Sequence, residues 1–180
     1  GLIILNQRPV GPFMSGGNIL SFVTSILQAG VVPIDESAPV TDVRVETAGG
    51  IVVAHAHCSR GRVERVSIEN LPSYATHLGT PLDVPGIGEI AVDVAYGGMM
   101  YLLVDARDLG VEIVPEAAAE IGLLAERCRA AAAEQLLVVN PVGGTLGRQV
   151  DSTLVYSAPH ASRNSGRSAV VMPMLPGPPS

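Results

Sequence analysis

Hydrophobic positions along the chain switch between two periods. Ile19, Phe22, Val23, Ile26 and Leu27 recur at helical spacing, which predicts a buried helix headed by Ser15-Gly16-Gly17-Asn18. Gly30 is placed to end it as the C-terminal cap, and Pro33 keeps it from restarting. The period then shortens to two. Val43 and Val45 alternate with polar neighbours over residues 41–47, Ala48-Gly49-Gly50 supplies a turn, and residues 51–58 return as a second strand. Ser59-Arg60-Gly61 turns again into residues 62–69, where Val63, Val66 and Ile68 alternate with one break. The prediction is a meander of antiparallel strands.

Residues 71–88 are rich in Pro and Gly and read as a long connection at the junction of two halves. A strongly patterned strand over 89–96 runs into Gly97-Gly98, read as a bulge or as a close approach of backbone to a ligand, and then into a strand over 99–104. Residues 105–110 turn the chain. Pro115 followed by Glu116 starts an alanine-rich helix that reaches about Gln135. Further strands are predicted at 136–139, 152–157 and 169–172, and the apolar residues 2–5 read as a strand at the front. Pro173 to Ser180 carries four prolines and one glycine, which predicts a disordered tail. The whole is an α+β arrangement, each helix packed on antiparallel sheet. Its expected parts are a first half over 1–88, a partial second half over 89–172 and the tail over 173–180. The second half repeats the plan of the first but has no counterpart of the glycine-headed helix. The chain opens in a strand pattern without an initiator methionine, so it reads as cut at its front.

Composition narrows the chemistry. The 180 residues carry a formal charge of −6, which argues against nucleic acid as a partner. With no Trp, two Phe and four Tyr there is no stacking platform either. All eleven basic residues are arginine. The absence of lysine removes Schiff-base chemistry on an internal amine and the phosphate lysine of a Walker loop. No apolar run approaches the roughly 20 residues that cross a bilayer, and no basic leader precedes a cleavage site. A soluble, cytoplasmic chain without membrane contact is expected.

The candidate site is the head of the first helix. Its first N–H groups have no partner within the helix, and such an end attracts anions, a carboxylate being the obvious small one. The ordinary reading of Ser, Gly or Asn at a helix start is a cap with no ligand. The second glycine favours a ligand, because paired glycines allow close approach to the backbone. Elsewhere, two cysteines are too few for a disulfide framework. Cys128 falls on the alanine-rich helix, where a small buried thiol is usual. His55 and His57 share one strand face, a spacing that could hold a metal, but Cys58 points the other way. A half-exposed strand with polar histidines is the plainer reading.

The order and spacing of several motifs resemble the proline racemase family over roughly residues 2–172. The anchors are Met14-Ser15-Gly16-Gly17-Asn18, Val23-Thr24, Gly30, Ala48-Gly49-Gly50 and Cys58 with Gly61-Arg62-Val63-Glu64-Arg65-Val66. They continue with Asn70-Leu71-Pro72-Ser73-Tyr74, with Val92-Asp93-Val94-Ala95-Tyr96-Gly97-Gly98, and with Tyr101 to Val104-Asp105-Ala106. The family includes hydroxyproline 2-epimerases and trans-3-hydroxy-L-proline dehydratases. The resemblance implies a diaminopimelate epimerase-like fold of two pseudo-symmetric α+β halves around a cleft. Each half aims a helix N-terminus at the substrate carboxylate and brings one thiol to one face of the α-carbon. One thiolate takes the α-proton and the opposite thiol delivers another, with no cofactor and no metal. Helix dipoles and N–H donors stabilise the carbanion's charge and lower thiol pKa.

Carried onto this chain, the resemblance makes Ser15 the catalytic candidate and Gly16, Gly17 and Asn18 the substrate-binding ones. The family's usual motif is Met-Cys-Gly-His-Asn; Ser15 stands at the cysteine position and Gly17 at the histidine position. Serine there marks a subgroup, usually Met-Ser-Gly-Ser-Asn. A hydroxyl is a poor general base unless activated, so Ser15 is expected to donate a hydrogen bond, or at most a proton. The second family motif, Asp-Arg-Ser-Pro-Cys-Gly-Thr-Gly, does not occur in the 180 residues, and neither Cys58 nor Cys128 stands at a catalytic position. The expected partner is a small molecule, proline or a hydroxyproline, and a homodimer is the expected assembly of an intact member. The expectation is thus a racemase or epimerase, or a dehydratase, with this piece inactive alone. Its rivals are a non-catalytic carboxylate-binding remnant and a metal-binding protein using His55 and His57.

Overall fold

The computed structural model describes residues 1–5, 13–139, 150–158 and 166–172. They fall into two compact units, Gly1–Pro72 and Ser73–Ser180.

In the first unit α1 (Gly16–Gln28) is followed by β1 (Val40–Thr47), β2 (Gly50–Ser59) and β3 (Arg62–Glu69). The strands pair antiparallel in the order β1-β2-β3, as the alternation predicts. α1 buries Ile19, Val23 and Leu27 in a core with Val43, Val45, Val52, Ala54 and Ala56. Burial of each of its larger apolar side chains contributes about 1.5–3 kcal/mol. The helix ends as expected: Gly30 is left-handed at φ +69°, its N–H donates to Leu27 O at 3.1 Å, and the Val31 N–H donates to Ile26 O at 2.9 Å. That pair of bonds is the Schellman closure. The strand expected at residues 2–5 does not form. Leu2 donates one backbone bond to Glu46 O at 2.7 Å, while Ile3 and Leu5 face solvent; one bond and no buried face do not make a ladder.

The second unit holds β4 (Tyr74–Val84), β5 (Gly88–Tyr96), β6 (Met100–Asp105), a 3₁₀ turn (Pro115–Ala117), α2 (Ala118–Gln135), β7 (Ser152–Tyr156) and β8 (Ser168–Val171). The sheet order is β4-β5-β6-β7-β8. Ile121, Ala125, Cys128, Ala131 and Ala132 are the buried residues of α2, and the helix packs on β4 and β7. The buried Thr153 hydroxyl donates to Ala125 O at 3.2 Å.

Four expectations change here. Residues 74–84 are a strand and not a connection, so the division of the chain falls after Pro72. β4 tolerates Gly79 and Pro81 because it is an edge strand, and its register with β5 shifts twice between Ala75 and Thr80. Gly97 and Gly98 form the hairpin turn joining Tyr96 to its pair partner Met100, with Gly98 at φ +106°. The sheet is mixed: β6 and β7 run parallel, because a helix-length crossover, not a hairpin, joins them. No strand forms over 136–139; Leu136 still donates to Ala132 O at 2.9 Å as the end of α2, and Val138 is buried. The proline-rich residues 173–180 lie outside the described residues.

Candidate functional site

The head of α1 is fixed from below. Met14 is buried in the core of its unit, and Phe13 O accepts the Gly49 N–H at 3.1 Å. Ser15 follows in extended conformation, φ −141° and ψ 116°, and its carbonyl accepts the Ile19 N–H at 3.0 Å. Helix geometry therefore begins at Gly16, and the N–H groups of Gly16, Gly17 and Asn18 have no acceptor within the helix.

Ser15 stands at the cap position without acting as a cap. Its side chain makes no hydrogen bond to the first turn's backbone. Instead Asn18 Nδ2 donates to Ser15 Oγ at 3.0 Å, which leaves the hydroxyl proton free to be donated onward. Among the described residues no carboxylate, imidazole or thiol bonds that hydroxyl. No acidic residue lies in the first turn, so the helix itself carries no charge there to offset the positive end of its dipole.

The glycine pair is not forced by the fold. Neither Gly16 nor Gly17 has positive φ. A Cβ on Gly16 would meet Ile68 Cδ1 at 3.6 Å, and one on Gly17 would meet nothing within 4 Å. The four residues singled out in the sequence are thus brought together on one partly open helix end.

The histidines are engaged differently. His55 Nδ1 lies 2.7 Å from Asp42 Oδ1, and its Nε2 lies 3.2 Å from Glu69 Oε1. His57 Nε2 accepts from the Arg65 guanidinium at 2.8 Å. The pair does not converge on a common point, and no group of three or more candidate metal ligands occurs among the described residues. The contribution of Asp42 and Glu69 could not be read from the sequence without the strand register; the polar alternation of β1 and β3 was the only signal.

Both cysteines are free thiols. Cys58 packs against the core of the first unit. Cys128 is fully buried on α2, and burial pushes its thiol up to about 11. Cys128 therefore lacks the surroundings of a reactive thiolate.

The proline racemase family matches residues 1–175. Among solved structures, a probable proline racemase from Agrobacterium radiobacter K84 with bound carbonate is 30% identical, with a TM-score of 0.79 over 92% of this chain and 47% of that one. A hydroxyproline epimerase from Agrobacterium vitis with bound trans-4-hydroxy-L-proline is 29% identical, with a TM-score of 0.77 over 89% of this chain and 46% of that one. A methylitaconate-delta-isomerase shares the fold at 13% identity and a TM-score of 0.50, over 84% and 50% of the two chains. The chain spans about half the length of these solved relatives.

Proposed function

The chain belongs to the proline racemase family, and on that premise we propose that the head of α1 forms one side of a site for the carboxylate of a proline-type amino acid. The observation that carries this is the unfilled helix end: three N–H groups without intrahelical acceptors, no acidic residue in the first turn, and a serine that leaves the cap position unused. The carbonate and the trans-4-hydroxy-L-proline bound by the two Agrobacterium relatives support a small carboxylate or a similar anion as the ligand.

The chemistry is inversion at the α-carbon, racemisation of proline or epimerisation of a hydroxyproline. As the α-proton leaves, charge moves onto the carboxylate, where the N–H groups of Gly16, Gly17 and Asn18 stabilise it. Among the described residues Ser15 has no base to activate it, and an unactivated hydroxyl is too weak a base to abstract the α-proton itself. Its role is to donate, with Asn18 holding the oxygen so that the hydroxyl proton points to the ligand. The abstracting base is a group of another segment, since neither Cys58 nor Cys128 stands at a catalytic position of the family's motifs. Dehydration requires a hydroxyl leaving from the carbon beside the α-carbon and is the alternative outcome in the same site. No cofactor takes part. A cytoplasmic location belongs to the same proposal, and the two free thiols accord with a reducing compartment.

Two measurements on the 180-residue chain test this. Incubation with L-proline or trans-4-hydroxy-L-proline in deuterated water is expected to give no α-proton exchange above the blank; exchange would show that Ser15 or another group acts as a base after all. Calorimetry with pyrrole-2-carboxylate, a planar mimic of the deprotonated substrate, is expected to give a binding heat. Gly17→Asp should abolish that heat while raising thermal stability by about 0.3–1 kcal/mol, because an acid in the first turn favours the helix and repels the ligand. No heat with the unaltered chain would remove the carboxylate site.

A second reading, a carboxylate-binding protein without turnover, is favoured by the unactivated Ser15 hydroxyl. The reading frame beyond codon 180 separates the two. A Cys-Gly-Thr motif there supports the catalytic reading, and its absence supports the binding one.

A further inference from the structure

On the sheet face opposite α1, one histidine touches both neighbouring strands. His55 lies on the central strand β2, and Asp42 is its direct cross-strand partner on β1. Glu69 on β3 pairs with Val53 and reaches His55 diagonally. The two ring nitrogens of His55 stand at 2.7 Å and 3.2 Å from carboxylate oxygens of opposite strands. A neutral imidazole has one N–H and one lone pair. It could donate to one of these carboxylates only, and its lone pair would then face the oxygen of the other. Only the imidazolium donates to both. His57 on the same strand is the opposite case: an arginine can only donate, so the Nε2 bonded to Arg65 must be the lone-pair nitrogen.

We propose that His55 is a proton-operated clasp: as an imidazolium it bonds side chains of β1 and β3 at once across the open face of the sheet, and on losing a proton it releases one of the two carboxylates, while the backbone ladder stays paired. The groups around it support this arrangement. From β1 it is faced by Asp42, with Arg44 and Glu46 further along the same exposed row; from β3 by Glu69, with Arg65 engaged by His57. α1 packs on the other face and carries no titratable side chain. Hydrogen bonds to Asp42 and then to Glu69 raise the His55 pKa above the ordinary 6.5, opposed by the smaller cost of burial. The sign follows from linkage. A group whose pKa is higher folded than unfolded contributes its full stabilisation below the unfolded value, and that contribution is lost as pH rises through the folded value. The carboxylates are 64% and 71% exposed, so salt weakens the clasp.

Long-range proton–nitrogen correlation spectra of the 180-residue chain, recorded across pH at low salt, test the proposal directly. His55 is expected to titrate above 6.5 with both ring nitrogens protonated on the acid side, and D42N and E69Q should each move its midpoint down. In thermal unfolding, the advantage of the wild-type chain over H55Q is expected to grow as pH falls from about 8.5 to about 6. A His55 midpoint at or below 6.5 would overturn the proposal, and so would an H55Q chain with the same stability profile against pH as wild type. The titration of the wild-type chain decides the matter even if H55Q does not fold. It involves no group at the head of α1, so its result is independent of the proposed carboxylate site.

Discussion

Tyr96 stacks on Tyr74 with ring centroids 5.1 Å apart and planes 20° from parallel, yet its buried hydroxyl has no hydrogen-bond partner among the described residues. Burial, then the neighbouring Tyr74 and Asp151, push its phenol upward. An unsatisfied buried hydroxyl costs about 1–3 kcal/mol. Tyr96→Phe is therefore expected to leave the ring stack in place and raise stability by about 1 kcal/mol, as read from denaturant midpoints at constant slope. Gly17→Ala should stabilise by a similar about 0.5–1 kcal/mol, since its Cβ enters open space, whereas Gly30→Ala should destabilise by about 1 kcal/mol or more because Gly30 is left-handed. At this scale the sequence was readable where a local rule sufficed, as at Gly30. It was silent on Tyr96, whose orphaned hydroxyl depends on what the fold does not place beside it, and on His55, whose partners are set by strand register.

Among the elements, α1 was the most legible. Its period, glycine-rich head and glycine stop agree with one another, and Ile19 is fully buried at the end of its first turn. Ile19→Ala should cost about 2–5 kcal/mol and lower hydrogen-exchange protection in β2 and β3, the strands on which α1 packs. β4 was the least legible. Gly79, Pro81 and two register shifts disguise its alternation, and Pro is compatible with a strand only where no neighbour needs its N–H. Composition suggested a linker; pairing with β5 made a strand. The parallel β6–β7 pair was hidden for a related reason, since alternation reports which face is buried and not which way a neighbour runs.

Over the whole molecule, the α+β class and the family were legible because motif order and spacing extend along most of the chain. The candidate site could be named from the sequence as four residues, Ser15 to Asn18, but their local geometry could not. That Ser15 leaves its cap position unused and takes a hydrogen bond from Asn18 required coordinates. The mixed sheet of the second unit has a kinetic consequence. β4, β5 and β6 follow one another through tight turns, so their pairing closes only short loops. The backbone N–H of Met100 bonds the Asp151 carboxylate 51 residues further along, at the place where β7 joins β6. Closing a loop of that length costs about 2 kcal/mol more than closing the turn between β4 and β5, before α2 returns any of it by packing. β7, and β8 behind it, should therefore be the last strands of this sheet to gain protection in pulse-labelled refolding, after the β4–β6 meander. Until they arrive, β6 presents a bare, mostly buried-type edge of Leu102 and Val104, which is the interval in which the chain is most exposed to pairing with a second copy of itself.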